Sequence, residues 1–399
     1  MKKSLLPLLF AFVSCGLSES YESSRFSGNE SWKNPSYEKD STSSGIEVCY
    51  MTALEYPEGY DWRADRESGT VKCSLTVYAD FIPVMKIPVG DRYETSPDPD
   101  MHRIIDGHLY SDFSTGTETV IKRDGKTILR YPGREVICGM LTDGDTLYTL
   151  GHPRQGEGFT YRKNGEIVLE RSSGRTFGRL HKDDGNICFA FTEPVISEDG
   201  DIERYYHFTD GEVIQAAVRE DIRKVWDIFS YKGEICWVAS VTGIDGPVLF
   251  KDGTLNAMVL FEGYSPLTLN IIEGEDCLYV EGLLASSELS LVTAFWFRPG
   301  HSLSFDDGYV ASSSCMSGEG INFTFNPGSG SGYGLIYRSG EEMPMPSGYT
   351  VMGTRCAAVS GGILHIGLSS IEGGRPMMWK DGQTEFLDIS GYIASVSVH

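Results

Sequence analysis

The chain has 399 residues, 40% of them hydrophobic, enough to bury a sizeable core and long enough for two ordinary domains. Asp and Glu number 56 against 34 Lys and Arg, a formal charge of −22 at pH 7. A surface of that sign repels phosphate backbones and excludes nucleic acid as a natural partner, and none of the nine Cys falls in a CxxC zinc pattern.

Residues 1–14 read as a signal segment. Lys2 and Lys3 form a charged start, and the apolar run Leu5–Val13 is far shorter than the roughly 20 residues a spanning helix needs. The run ends on Phe12-Val13-Ser14-Cys15-Gly16, which resembles the lipobox of bacterial lipoproteins, with Phe12 where that family usually carries Leu. The resemblance implies a cut before Cys15, lipidation of Cys15 and an anchor stabilised by plural acyl chains. The rest of 15–45 is dominated by Ser, Glu, Asn and Gly. It has too little apolar surface to order itself and reads as a flexible tether. No later segment is apolar and long enough to span a bilayer. The expectation is a monomer at the bacterial cell envelope, touching a membrane (the outer membrane favoured) only through its lipid, with residues 46–399 as the folded domain.

That domain repeats itself. "TVIKRDGKTILR" (119–130), "FTYRKNGEIVLE" (159–170) and "PMMWKDGQTEFL" (376–387) share an aromatic or apolar run, a basic residue, a turn pair ending in Gly, and a second apolar run. The Gly recurs at Gly125, Gly165, Gly211, Gly253, Gly300, Gly340 and Gly382, at intervals of 40 to 47 residues. Asp-Gly and Asn-Gly favour tight turns that need positive φ, so each copy reads as strand, turn, strand. A second Gly-turn pair precedes it in each unit, as in "LTDGDTLY" (141–148) and "SYKGEICWVA" (230–239). Four short strands per unit of this length, with no amphipathic helix, predict an all-β β-propeller.

Seven units carry the motif, and residues 46–90 read as an eighth with Phe81 in place of the Gly. That unit lacks a first strand, whereas "GYIASVSVH" (391–399) is a first strand without a following unit. The prediction is eight four-stranded blades, the ring closed by the C-terminal strand beside Val48; seven blades plus a separate N-terminal hairpin is the alternative. Cys188, Cys236 and Cys277 occupy one repeat position and read as small buried hydrophobes. Cys49 and Cys73 face each other if the first unit is one hairpin, which leaves a single bridge open.

In this topology the short Gly turns share one face. The 2→3 and 4→1 connections share the other and vary in length and content, which makes that face the expected binding surface. "EGYSP", "DGYVA", "SGYTV" and "SGYIA" place Tyr264, Tyr309, Tyr349 and Tyr392 at the start of the first strand, and "PGREV" and "SGRTF" place Arg134 and Arg175 there. A ring of Tyr and Arg suits a sugar or peptide, offering flat apolar faces and forked donors. The same Tyr residues would serve equally to wedge consecutive blades apart. Trp62, with Tyr56 and Tyr60, forms a second candidate patch in the longest loop.

No GxSxG, HExxH, Walker loop or EF-hand run is present, and the eight His are scattered, so no catalytic residue, metal site or cofactor is assigned. His108 and His365 read as packing residues of second strands, and the turn Asp residues as turn formers. Loop carboxylates Asp98, Asp100, Glu193, Asp306 and Asp307 keep a polysaccharide hydrolase or lyase open, since propeller enzymes draw such groups from different blades. The whole chain resembles uncharacterised bacterial lipoproteins that present a β-propeller on a tether. Neither the lipobox-like start nor the repeat specifies a ligand; the expected role is binding or scaffolding toward a glycan or protein, with a polysaccharide hydrolase or lyase, or a structural place in an envelope complex, as alternatives.

Overall fold

The computed structural model describes residues 49–60, 74–87, 102–115, 117–154, 156–177, 179–197, 200–216, 221–251, 254–258, 260, 263–273, 277–286, 292–299, 301–304, 309–317, 320–327, 334–338, 341–352, 355–360 and 362–398. The signal segment, Cys15, the tether, Val48, Trp62, Cys73, Asp98, Asp100, Asp306 and Asp307 lie outside them.

Eight antiparallel sheets follow one another along the chain, seven of them built only from strands adjacent in sequence. Blades 2 to 8 open with inner strands that begin at His102, Glu135, Arg175, Ile222, Tyr264, Tyr309 and Tyr349. In blades 4 and 8 the inner strand is interrupted, as Arg175–Thr176 with His181–Asp183 and as Tyr349–Thr350 with Ala357–Ser360. Blade 1 takes its second, third and outer strands from Cys49–Glu55, Ser74–Ala79 and Ile82–Ile87, and its inner strand from Gly391–Val398 at the other end of the chain. The closing register runs from Cys49↔Val398 through Thr52↔Ser395 to Glu55↔Gly391. The chain is therefore an eight-bladed β-propeller closed by its C-terminal strand, and the seven-blade alternative falls because the N-terminal hairpin is paired into the ring.

The inner strands approach one another from blade to blade, so the sheets converge on a central hub. Middle strands are buried on both faces, as in Phe159–Lys163 and Glu234–Val241, whereas the outer strands Glu212–Gln215 and Gln383–Phe386 are exposed throughout. A sheet buried on both faces needs a partner on each side, and each core cluster supplies one by drawing on two consecutive blades. Tyr148, Leu150, Phe159 and Tyr161 of blade 3 pack on Phe189, Phe191 and Phe208 of blade 4. Met378 and Leu387 of blade 8 pack on Met51, Ala53 and Ile393 of blade 1.

The repeated turn has a local cause. Asp124 and Gly125 hold φ of +52° and +76°, and Asn164 and Gly165 hold +50° and +84°. Each turn side chain also accepts a backbone N–H near the start of its second strand: Leu109 N to Asp124 Oδ1 at 3.0 Å, Leu147 N to Asn164 Oδ1 at 2.8 Å, and Leu364 N to Asp381 Oδ1 at 3.1 Å. Asp and Asn tolerate the left-handed region and carry the oxygen this bond needs. Blade 1 keeps the geometry without the glycine: Asp80 and Phe81 lie at +46° and +67°, and Cys49 N donates to Asp80 Oδ1 at 3.1 Å. A left-handed Phe costs about 1–2 kcal/mol. Its ring is held by blade 8, whose Lys380 ammonium lies 4.3 Å from the ring centroid.

Polar side chains stitch neighbouring blades at the hub. Arg103 of blade 2 donates to its own Asp112 and to the Ile137 carbonyl of blade 3, both at 3.0 Å. Arg179 of blade 4 pairs with Asp227 of blade 5 at 3.0 Å and also donates to the Ile271 carbonyl of blade 6. Thr142 donates to Asp106, Lys182 to Asp143 and Ser230 to Asp183, each from one blade to the blade before it. Asn326 of blade 7 exchanges bonds of 2.7 and 2.8 Å with the Val351 backbone of blade 8.

Cys188 and Cys236 are buried thiols, as the repeat position predicts, and Cys277 is partly buried. Cys49 is a free thiol at the Asp80 end of its hairpin, whereas Ser74, the neighbour of Cys73, pairs with Glu55 at the opposite end. The suggested partner, Cys73, lies outside the described residues. His365 is buried in its second strand, but His108 is not a packing residue: its ring is half exposed and bonded to Asp124 at 2.7 Å.

Candidate functional site

The face opposite the Gly turns is defined by the residue that opens each inner strand. In five blades it is preceded by a glycine at positive φ: Gly133 (+96°), Gly174 (+90°), Gly263 (+82°), Gly348 (+80°) and Gly391 (+148°). At two of these the reason is contact as well as φ. A Cβ on Gly174 would meet the Thr192 carbonyl oxygen at 1.9 Å, and one on Gly391 would meet that of Leu54 at 1.9 Å. The bare backbone lets the crossover lie against the second strand, and this fixes where the next side chain starts.

The structure sorts the predicted residues into two kinds. Tyr392 is only 6% exposed, packed among Leu54, Leu75, Ile104 and Leu109, with the Tyr56 ring at 6.2 Å. Tyr264 is partly buried against the core between blades 5 and 6. Tyr349 is partly buried against the core of blades 7 and 8, its hydroxyl donating to the Arg375 carbonyl at 3.1 Å. Tyr309 opens the inner strand of blade 7, and its side chain lies outside the described residues. Arg134 and Arg175 are exposed. The arginines thus reach solvent at the positions where the three described tyrosines pack between blades. Tyr56 and Tyr60, the described members of the second patch, stand 6.1 Å apart.

Blade 5 supplies residues that the sequence reading missed. Arg223 and Lys224, both exposed, occupy the start of its inner strand without a preceding glycine, so the Gly-Tyr and Gly-Arg pattern passes over them. The Lys224 ammonium lies 3.3 Å from the Trp226 ring centroid. Partial burial, and then the nearby Arg175 charge, lower its pKa. Arg175 is 3.5 Å from Glu203, which also accepts the Tyr205 hydroxyl at 3.2 Å. Burial and that carboxylate push the Tyr205 phenol up to about 12. Arg223 Nε donates to Thr242 Oγ1 at 3.1 Å.

Two further groups sit between blades 3 and 4. His152 contacts the Gly158 carbonyl through Nδ1 at 3.0 Å, so Nδ1 carries the proton and Nε2 accepts from the Thr176 hydroxyl at 2.7 Å. A hydroxyl on an imidazole is half of a nucleophile–base pair, but the group orienting the ring is a carbonyl rather than a carboxylate. The neighbouring Cys138 thiol is pushed up to about 11 by burial and stays protonated.

Two carboxylates on this face are committed to arginines. Glu193 is 2.6 Å from Arg171, and Glu135 takes a bidentate bond of 2.6 and 2.7 Å from Arg162, which stacks 4.0 Å from the Tyr131 ring centroid. Glu193 and Glu203 sit on facing strands, Glu193 opposite Arg204 and Glu203 opposite Pro194. Side chains alternate along a strand, so the two carboxylates point to opposite faces of the sheet and form no acid–base couple. Among the described residues no three His, Cys, Asp or Glu are grouped to hold a metal ion.

No protein-family model matches the chain, and no curated protein matches it in sequence. Solved structures with a similar fold include the β-propeller domain of the Trilobed protease from Pyrococcus furiosus, at 13% identity and a TM-score of 0.42, covering 87% of this chain and 94% of that one. An oligogalacturonate lyase in complex with manganese is similar at 10% identity and a TM-score of 0.45, covering 84% and 97%. The polysaccharide lyase Uly1 is similar at 10% identity and a TM-score of 0.41, covering 86% and 99%. These scores are low, and the eight-bladed ring stands on the strand pairings alone.

Proposed function

We propose that the chain is a binding or scaffold protein that recognises a glycan or a protein through the face carrying the 2→3 and 4→1 connections. The supporting observation is the start of the inner strand. One structural position, set by the same backbone device in five blades, presents aromatic or cationic side chains around a rigid hub. Cationic members stand in water, and Tyr264 and Tyr349 keep part of their surface free beside them. Lipidation of Cys15, display at a bacterial envelope and a monomeric state belong to the same proposal and rest on the lipobox-like start. Hydrolysis or elimination is disfavoured, since Glu193 and Glu203, paired with Arg171 and Arg175, point to opposite faces of a blade and form no acid–base couple.

The test is a panel of immobilised plant, algal and mucin polysaccharides with parallel assay of reducing ends and of unsaturated products. Binding without product supports the proposal. Turnover of any polysaccharide, or the absence of binding together with failure to retain any protein from envelope extracts, rejects it.

A further inference from the structure

The face is not uniform. In three consecutive blades, 3, 4 and 5, exposed cations stand at or within two residues of the start of the inner strand: Arg134, Arg175, and Arg223 with Lys224. In blades 6, 7, 8 and 1 it starts with tyrosine. A chain with 56 acidic and 34 basic residues thus gathers cations on one arc of one face. Arg175 and Lys224 come from neighbouring blades, and each lies in the other's field. Glu203 offsets Arg175 at 3.5 Å, and Glu193 holds the adjacent Arg171. Among the described residues neither Lys224 nor Arg134 has a carboxylate in ion-pair contact. Like charges side by side on a surface rich in acid are unfavourable without a counter-charge, and a ligand that brings one relieves the repulsion. The guanidinium of Arg175 supplies a forked donor set and the ammonium of Lys224 a point charge, a pairing suited to carboxylate or sulfate oxygens.

We propose that the arc formed by Arg134, Arg175 and Lys224 binds an anionic polysaccharide, its carboxylate or sulfate groups lying across the boundary between blades 4 and 5. This rests on the reading of the face as a glycan-binding surface and names the ligand class for it. Exposed cations are screened within about 8–10 Å at physiological salt, so binding is salt-sensitive and each lost cation weakens it about threefold to fivefold.

The experiment measures affinity of the full chain for polygalacturonate, for the same polymer fully methyl-esterified, and for dextran sulfate, at low and high salt. Proteins compared are the wild type, Arg175→Ala with Lys224→Ala, and Lys126→Ala on an outer strand as a control. The expected result is preference for polygalacturonate over its ester, about tenfold weakening in the double variant, a shallower salt dependence and no change in the control. Equal weakening toward dextran sulfate assigns the arc to anionic groups at large, and weakening toward polygalacturonate alone assigns it to carboxylates. Equal affinity of wild type and double variant for polygalacturonate, or equal affinity for polymer and ester, overturns the inference. If the ester is still bound in that case, glycan recognition by the face survives without the anionic arc. Absence of binding to every polysaccharide removes both.

Discussion

Ring closure is open to a direct test, because Cys49 is a free thiol whose Cα partner across the seam is Val398. Val398→Cys sets two thiols opposite each other at the point where the chain's end meets its beginning. A bond there closes a loop of about 350 residues, and the chain-entropy relation gives an upper limit of about 6 kcal/mol of stabilisation, with about 2–4 kcal/mol usual once native strain is included. Burial pushes the Cys49 thiol up to about 11, so spontaneous oxidation is slow and an added oxidant such as oxidised glutathione is required. The assay is urea unfolding of the variant with and without reductant, alongside thiol titration and mass spectrometry of the cross-linked peptide. The reduced variant is expected to unfold near the wild-type midpoint and the oxidised one at clearly higher urea. A variant that never cross-links under oxidant, or cross-links without gaining stability, refutes pairing of the last strand with the first described one.

Asn164→Ala removes both a left-handed turn former and the acceptor for Leu147 N–H, so a loss of about 1–2 kcal/mol is expected in thermal or urea unfolding, with Asn164→Gly recovering part of it. Tyr392→Ala empties a buried site between blades 1 and 2 and is expected to destabilise by about 3 kcal/mol, whereas Arg175→Ala, exposed, changes stability by less than about 0.5 kcal/mol; the same melting curves separate the two. Acid sensitivity follows from His181, stacked 4.1 Å from Phe229 and bonded to the Ser230 carbonyl, with His207, Asp183 and Arg179 around it. Burial lowers its pKa from 6.5 to about 4, so the folded state resists the proton that the unfolded chain accepts. Its contribution is whole above about pH 6.5 and is lost as pH falls through 4, roughly 2 kcal/mol after allowance for partial exposure, and His181→Phe flattens that limb of the urea-midpoint profile. Asp227 acts in the opposite sense: burial raises its carboxyl to about 6 against the pull of Arg179 and two backbone N–H groups, so its contribution is present at low pH and lost as pH rises through 6. Asp227→Asn is therefore expected to steepen the loss of stability between pH 7 and 4.

Much of the architecture was legible because its signals are local. A left-handed pair favours Asp or Asn before Gly, and it appears at Asp124, Asn164, Asp210 and Asp381, four of the turns from a third strand into an outer one. The missing first strand at one end and the spare strand at the other stated the closure before any pairing was seen, and Thr52↔Ser395 realises it. Phe81 marks the limit of such reading, since the turn survives there through Asp80 and the contact with Lys380 of another blade. The candidate site was legible only as a position. Gly before Tyr or Arg located the start of the inner strand in six blades but passed over Lys224, which reaches the same place with no glycine.

By itself, the sequence determined strand order, turn type, repeat length and the partnership of the two ends, because each follows from backbone dihedrals and two-residue alternation along a few neighbouring residues. Tertiary structure alone decided that Tyr392 is enclosed while Arg175 stands in water, and that Arg175 shares a boundary with Lys224. Enclosure and electrostatic company depend on which blades press together, and residues about fifty apart in the chain meet only after the sheets have folded around the hub.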